Sequence, residues 1–133
     1  MPRRRTTFET VRKLGLALPR VQEGTMYGAP ALKLNGQLLA CVPTHKSAEP
    51  DSLAVRIDFD QRDSLIADAP DTYYLKPHYL NYPCVLVRLK RIHSDALNEL
   101  LKASWQFVNS RSRKRAGAVR SRRAVSRGSK RNA

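Results

Sequence analysis

The segment 76–83 combines one lysine, one histidine and two tyrosines within eight positions, and its two prolines restrict the backbone. Aromatic rings beside cations can stack on nucleic-acid bases or line a small-molecule pocket. The same composition also fits a rigid surface loop whose tyrosines pack on the domain, and the sequence leaves both interpretations open. Together with one upstream aromatic, the candidate pocket residues are Tyr27, Lys76, His78, Tyr79 and Tyr82.

Motifs typical of enzymes are absent from the sequence, which has no P-loop, GxGxxG, HExxH or GxSxG pattern. His45, His78 and His93 are far apart in the chain, and no two of them stand four positions apart. The two cysteines, Cys41 and Cys84, fall in apolar runs, which favours buried, reduced thiols over a disulfide or a metal site. We therefore expect a non-enzymatic protein without catalytic residues, metal or cofactor.

Positive charge is concentrated at the ends of the chain. Residues 6–110 contain 12 Lys/Arg and all 11 Asp/Glu, which leaves this stretch nearly neutral although the whole chain carries +14. Three further cations lie within residues 1–5, and no acid follows residue 110. The C-terminal cations are Arg111, Arg113, Lys114, Arg115, Arg120, Arg122, Arg123, Arg127, Lys130 and Arg131.

A basic segment of this kind favours contact with nucleic-acid phosphates and release of their counterions. Arginine predominates over lysine there, and its planar fork matches phosphate geometry. The alternative is a solubilising tail without a defined partner. We expect a nucleic-acid partner, with DNA favoured over RNA and without strong sequence preference, because a flexible basic arm reads phosphates rather than bases.

Four strand-borne cations offer a second candidate surface. Lys33, Arg56, Arg88 and Lys90 alternate with apolar residues in their strands, so they would share the solvent side of a common sheet. This arrangement could face phosphates. It also fits an ordinary solvated face balanced by Asp58, which the near-neutral charge of the domain slightly favours.

Periodicity predicts the elements that must position these residues. A helix is expected over about 7–18, capped by Thr6 and ended by Pro19, and its Gly15 weakens it. Glu23-Gly24 is expected to form a turn, and Asn35-Gly36 a type I′ hairpin turn.

The second half of the chain alternates strands and helices. Strands are predicted over 53–59, 72–75 and 84–92, because apolar residues alternate with polar ones or form short aromatic and apolar runs. A helix capped by Asp60 is expected through about Ala67, and Ser94 is expected to cap a helix whose apolar pattern ends at Val108.

This order predicts an α+β domain with a two-layer, mostly antiparallel sheet packed against N- and C-terminal helices. Its boundaries are expected at a basic N-terminal arm of residues 1–5, the α+β domain over 6–109, and a basic tail over 110–133. The tail contains no aromatic and no Leu, Ile, Met or Phe, so we expect it to be disordered.

Two separated motifs carry a resemblance to a known family. The run from Tyr73 to Leu89 (YYLKPHYLNYPCVLVRL) and the run from Glu23 to Lys33 (EGTMYGAPALK) resemble the signature of the MmcQ/YjbR-like family. The resemblance covers about residues 8–107. It implies a fold similar to that of the frataxin-like iron proteins. The fold of the MmcQ/YjbR-like family is described as a DNA-binding "double wing". Cys84 stands where that family often has a large aromatic.

Iron binding of the frataxin kind requires a carboxylate-rich first helix. The predicted first helix has only Glu9 as a carboxylate and carries Arg12 and Lys13, so we do not expect that activity here.

The resulting expectation is a cytoplasmic, monomeric DNA-binding protein without a secretion signal or a membrane-crossing segment. The alternative is a small-molecule or protein-interaction module. In that case its cleft is formed by the Tyr27, His78 and Tyr82 motifs, and the tail is an accessory.

Overall fold

The computed structural model describes the backbone of residues 6–125 and the side chains of residues 6–111. Within this part of the chain, three α-helices and one six-stranded sheet account for most residues. The helices are α1 (Phe8–Leu16), α2 (Phe59–Asp68) and α3 (Ser94–Val125). The strands are β1 (Val21–Met26), β2 (Ala29–Leu34), β3 (Gln37–Cys41), β4 (Ser52–Arg56), β5 (Tyr73–Tyr74) and β6 (Cys84–Arg88), and a single-turn 3₁₀ helix covers Pro77–Tyr79.

The strands lie in the order β1-β2-β3-β4-β6-β5, and every neighbouring pair is antiparallel. Consecutive strands are adjacent except that β6 lies between β4 and β5, so the two-residue β5 forms one edge. The predicted α+β class, with a mostly antiparallel sheet packed against N- and C-terminal helices, is confirmed.

Two tight turns join the first three strands. Asn35 and Gly36 have φ of 52° and 80°, which is the left-handed geometry predicted for this hairpin. The β1–β2 turn repeats it with Tyr27 at 54° and Gly28 at 81°. The predicted turn at Glu23-Gly24 is wrong, because both residues lie inside β1 and pair with β2.

One face of the sheet carries the main core. Val55, Ile57, Val85 and Val87 are fully buried there, as their alternation predicted. Each of the three helices contributes apolar side chains to this cluster. The hydroxyl of Ser104 in α3 donates to a β3 carbonyl 3.3 Å away, which adds a buried polar contact between helix and sheet.

The helix starts differ from prediction by one or two residues. The N-cap of α1 is Thr7, while the Thr6 hydroxyl instead donates to the Ile92 carbonyl at 2.8 Å. The N-cap of α2 is Asp58, whose carboxylate accepts the Gln61 amide at 2.7 Å, rather than Asp60. The tertiary contact of Thr6 and the earlier end of β4 explain both shifts.

The last helix continues beyond Val108 to Val125. This helix includes residues 110–125 of the segment that was predicted to be disordered. The expectation rested on missing apolar burial. Local propensity favours a helix there, because the segment has no proline and is rich in arginine and alanine. The predicted arm over 1–5 and the end of the tail, 126–133, lie outside the described residues.

Membrane insertion by a helix has no candidate segment in the described chain. None of its helices is both long and apolar enough to cross a bilayer.

Gly15 allows α1 to approach the sheet closely, because a Cβ built there would lie 2.2 Å from Cδ1 of the fully buried Leu32. Alanine would favour the helix by up to about 1 kcal/mol. Overpacking beside a buried side chain costs about 1–3 kcal/mol, so we expect Gly15→Ala to lower the free energy of unfolding in urea by about 1 kcal/mol.

Gly24→Ala is the matched control, since its Cβ would meet only the flexible Lys33 side chain at 3.8 Å. This variant should keep or slightly raise the stability of the natural sequence. A Gly15→Ala protein more stable than the unsubstituted chain would contradict the proposed close packing.

Candidate functional site

The face of the sheet opposite the helices carries a second, smaller apolar cluster. Pairing of Cys41 with Ala54, and of Ala54 with Leu86, places these three side chains in one row across β3, β4 and β6. All three are buried, and Tyr74 extends the cluster to β5. This face, expected to be a solvated surface bearing cations, therefore has an apolar floor.

Residues 42–51, between β3 and β4, form one wall above this floor. The Tyr74 hydroxyl accepts the Glu49 amide at 2.8 Å and lies 2.5 Å from the Ser52 hydroxyl. Arg88 donates hydrogen bonds from Nε and Nη2 to the two carboxylate oxygens of Glu49, each at 2.8 Å. Its Nη1 donates to two backbone carbonyls of the α2–β5 connection at 3.1 Å. These contacts hold the loop against the sheet.

Residues 76–83 form the opposite wall, and an arginine holds them as well. Arg62, buried in α2, donates Nη1 to the carbonyls of Leu80 at 3.0 Å and Tyr82 at 3.3 Å. Its guanidinium also lies 4.8 Å from the ring centroid of Phe59. Satisfied hydrogen bonds are what make burial of this charge tolerable.

Between the two walls lies a cavity of about 580 Å³, within the usual size range of small-molecule sites. Most of its lining is apolar or aromatic. The lining residues are Met26, Tyr27, Gln37, Leu38, Cys41, Val42, Pro43, Thr44, His45, Ala54, Arg56, His78, Tyr79, Tyr82, Pro83, Cys84 and Arg111.

A pair of stacked imidazoles forms part of the rim. The rings of His45 and His78 are nearly parallel, with centroids 3.6 Å apart, and Tyr79 meets both rings edge-on. The Ser47 amide donates to His45 Nδ1 at 3.1 Å, so the neutral ring carries its proton on Nε2. Burial and the neighbouring His78 lower the pKa of His45, which favours this neutral form.

Two neutral thiols form part of the floor. Cys41 and Cys84 are both free and buried. Burial raises the pKa of Cys41, and it raises the pKa of Cys84 to about 11. The cavity floor is therefore uncharged at neutral pH.

Two guanidinium groups line the cavity and also lie near the ring of Phe107. The Cζ atom of Arg56 is 5.8 Å, and that of Arg111 5.4 Å, from the ring centroid of Phe107. No aspartate or glutamate occurs among the described lining residues. Arg56 and Arg111 are therefore the only permanently charged side chains among the described lining residues.

The candidate pocket residues were predicted in the segment 76–83 and, far upstream, at Tyr27, and the structure brings most of them together. Tyr27, His78, Tyr79 and Tyr82 line the one cavity. Lys76 does not line it, and its Nζ lies 5.8 Å from the Tyr74 ring.

The four strand cations occupy different environments instead of forming one continuous surface. Lys33 extends over Gly24 on the open face, and Arg56 lines the cavity. Arg88 is joined to Glu49, while Lys90 lies beyond β6 and pairs with Asp51 at 3.5 Å. Glu49 and Asp51 are therefore the counter-charges of Arg88 and Lys90, and the Asp58 side chain caps α2.

Among the predicted C-terminal cations, only Arg111 has a described side chain, and it is exposed beside Phe107. For the others, the structure describes either a helical backbone without side chains or nothing. Those with a described backbone only are Arg113, Lys114, Arg115, Arg120, Arg122 and Arg123; those outside the described residues are Arg127, Lys130 and Arg131.

Sequence reasoning missed the role of His45 and the position of Arg111. His45 lies in a polar loop without periodicity, 33 positions before its stacking partner, so no local pattern indicates the contact. Arg111 was grouped with the tail because its neighbours in sequence are basic. The third histidine, His93, lies near Asp95, 3.6 Å from its carboxylate.

Metal ligation finds no candidate among the described residues. Within residues 6–111, no group of three or more His, Cys, Asp or Glu side chains is placed to hold an ion.

Fold and cavity together define a two-layer α+β domain whose open sheet face carries an aromatic, thiol-lined cavity. The model of the YjbR family matches residues 16–107, well over half of the sequence. The chain therefore belongs to the YjbR family, and the resemblance drawn from its two motifs is confirmed.

Mycobacterial proteins share part of this sequence. The chain is 41% identical over 66 residues to an uncharacterised protein of Mycobacterium bovis and to one of Mycobacterium tuberculosis. Each match covers 47% of this chain and 51% of the relative, so the chain spans about half the length of the curated relatives it matches.

The fold is similar to the crystal structure of Deinococcus radiodurans protein DR2400, which has a DUF419 domain. The TM-score is 0.63, at 21% identity, over 77% of this chain and 78% of that one. At this identity the likeness shows the fold alone.

Burial of the two thiols should make them unreactive. At pH 8, the thiolate fraction of a thiol with a pKa of about 11 is about a hundredfold smaller than that of a thiol with the ordinary pKa of 9.0. The thiolate is the form that reacts as a nucleophile. We expect Cys84 of the folded protein to react with a disulfide reagent at least about a hundredfold more slowly than in the urea-unfolded chain, and Cys41, whose pKa burial also raises, to react more slowly as well.

Cys41→Ser and Cys84→Ser variants would assign the residual rate to one thiol or the other. Native reaction as fast as that of the unfolded chain would contradict the burial of both.

Removal of Arg88 should release the 42–51 wall. Its hydrogen bonds lower the pKa of Glu49, so this contact stabilises the folded protein above the ordinary carboxylate range. That contribution is lost as pH falls through the lowered pKa. We therefore expect Arg88→Gln to reduce the free energy of unfolding at pH 7, and the deficit to shrink in acid.

Lys90→Gln is the control for Arg88→Gln, because the exposed Lys90–Asp51 pair contributes little. Equal losses in the two variants, or a deficit that does not depend on pH, would contradict a specific role for the Arg88 fork.

Proposed function

We propose that this protein binds nucleic acid, DNA in preference to RNA, through phosphate contacts made by the basic segment that begins at Arg111. The observation that carries the proposal is the continuity of α3, which runs from the domain into that segment without interruption up to Val125. Seven of the ten C-terminal cations lie on this helical backbone, and no acid accompanies them.

Helical structure concentrates these charges. Fifteen residues of α-helix span about 22 Å, against roughly 50 Å for the same residues fully extended. Binding would then require less ordering of the chain than binding by a disordered arm, which lowers the entropic cost.

The preference for DNA follows from groove dimensions. The major groove of B-form DNA is wide enough to admit an α-helix, whereas the major groove of A-form RNA is deep and narrow. Affinity would come from phosphate neutralisation, so we expect little discrimination among sequences.

Cations of the folded domain support this division of roles. Arg62 and Arg88 hold the cavity walls, and Arg12 is joined to Glu9 and Glu23 on α1 and β1. Using them for phosphates would require these internal contacts to break, so the near-neutral domain would contribute less than the basic segment.

A salt series tests the proposal. Each phosphate neutralised adds about 0.9 to the slope of log affinity against log salt concentration. We expect the Arg120→Gln, Arg122→Gln, Arg123→Gln triple variant to bind duplex DNA more weakly at low salt, with a slope shallower by up to about 2.7.

The control is a triple variant that removes three exposed charges from the domain: Lys13→Gln, Arg91→Gln and Lys102→Gln. It changes the net charge equally but should alter the slope by less than about 1. Equal effects in the two triples would show that net charge, and not the C-terminal helix, drives binding.

A chain ending at Ser110 gives a second comparison. It should lose most of its affinity for duplex DNA, and duplex RNA should bind the full chain more weakly than DNA. Full affinity without the segment would refute its role, and absence of DNA binding by the full chain at low salt would refute the proposed function.

A further inference from the structure

The cavity on the open sheet face has the composition of a ligand site, and the proposed nucleic-acid binding would use only Arg111 among its described lining residues. A solvated loop region would not require an apolar floor, two walls held by arginine side chains, and a volume of about 580 Å³. Its floor is made by Cys41, Ala54 and Cys84, which present neither charge nor a strong hydrogen-bonding group.

Ring-shaped ligands suit the aromatic side of the cavity. The His45–His78 stack and Tyr79 offer flat and edge-on contacts to a planar group. The neutral form of His45 avoids the repulsion that two stacked imidazolium ions would produce. An aromatic ring could rest on this side while its lower face covers the thiols.

Negative charge suits the part of the cavity that Arg56 and Arg111 line. Arg56 and Arg111 converge on the ring of Phe107, and no described lining residue supplies a carboxylate. A cavity with low-dielectric walls and charges of one sign attracts ions of the other sign. Guanidinium groups bind carboxylate and phosphate oxygens through paired hydrogen bonds.

We propose that the cavity binds a small planar aromatic anion, with its ring toward the histidine pair and its carboxylate or phosphate toward Arg56 and Arg111. The volume suits a molecule of one or two fused rings with a short anionic substituent. The inference is independent of the proposed DNA binding, and Arg111 is the residue that would take part in both.

Calorimetric titration of the full chain at low salt tests the inference with defined probes. The anions are 1-naphthoate and adenosine 5′-monophosphate, and their uncharged counterparts are 1-naphthalenemethanol and adenosine. We expect at least one anion to bind about tenfold or more tightly than its counterpart and than inorganic phosphate. The tighter of the two anions distinguishes a carboxylate from a phosphate ligand.

Two variants locate the binding. Arg111→Gln should weaken the anion about tenfold or more and leave its uncharged counterpart unchanged, because a charge-assisted hydrogen bond is lost. Leu38→Trp should block both ligands by filling the cavity. The bound anion should also slow alkylation of Cys41 and Cys84, which lie on the floor.

The Arg120→Gln, Arg122→Gln, Arg123→Gln triple is the matched control, since it removes more charge but none of the described lining residues. It should bind the anions as the natural sequence does. Equal weakening in this triple and in Arg111→Gln, or affinity no greater than for inorganic phosphate, would overturn the inference. If Leu38→Trp fails to fold, Arg111→Gln and thiol protection still decide.

Loss of anion binding with DNA binding intact would refute the cavity assignment alone. Loss of DNA binding with anion binding intact would refute the proposed function alone.

Discussion

Helices cover only one face of the sheet, and the other face depends on arginine side chains for its cover. Arg62 and Arg88 extend from α2 and β6 to the backbone or carboxylate of the two loops beside the open face. Without these contacts the two loops would keep weaker attachments, such as the Tyr74 hydrogen bond to Glu49 and the stacked histidines, and would cover the buried thiols and Leu86 less well. The cavity is thus a consequence of two-layer architecture combined with two well-placed guanidinium groups.

This use of arginine also explains how charge is distributed. The domain contains 12 cations and 11 anions. Several of the cations form internal contacts, either ion pairs with carboxylates or hydrogen bonds to carbonyl oxygens. Charge that could act on a polyanion is then left to the segment after Ser110, which contains no acid. Because that segment continues α3, it is attached to the core through buried residues such as Leu97 and Leu101 rather than through a linker.

Much of the fold could be predicted because it follows from local rules. Asn35-Gly36 forms its turn because asparagine and glycine tolerate the positive φ that both positions require. Alternation of apolar residues correctly predicted that Val85 and Val87 lie in the core. Gly24 was misassigned because glycine signals turns, although here it lies in a strand beneath the Lys33 side chain. The cavity required contacts between residues more than 30 positions apart, such as the histidine stack, and local patterns contain no record of those.

The helix after Val108 shows that the ability of a segment to form a core and its ability to form a helix are separate properties. The prediction from sequence treated them as one. Missing apolar residues indicate that a segment cannot form a core, but they do not prevent the backbone from extending a helix whose first turns are already formed. Nucleation is the costly step, and α3 supplies it from within the domain. Arg111 lies at the junction between the folded domain and the basic segment. Its side chain lines the cavity, and its backbone is part of α3. If an anion and DNA both use this residue, each must lower the affinity for the other, and to the same degree, since such coupling is reciprocal.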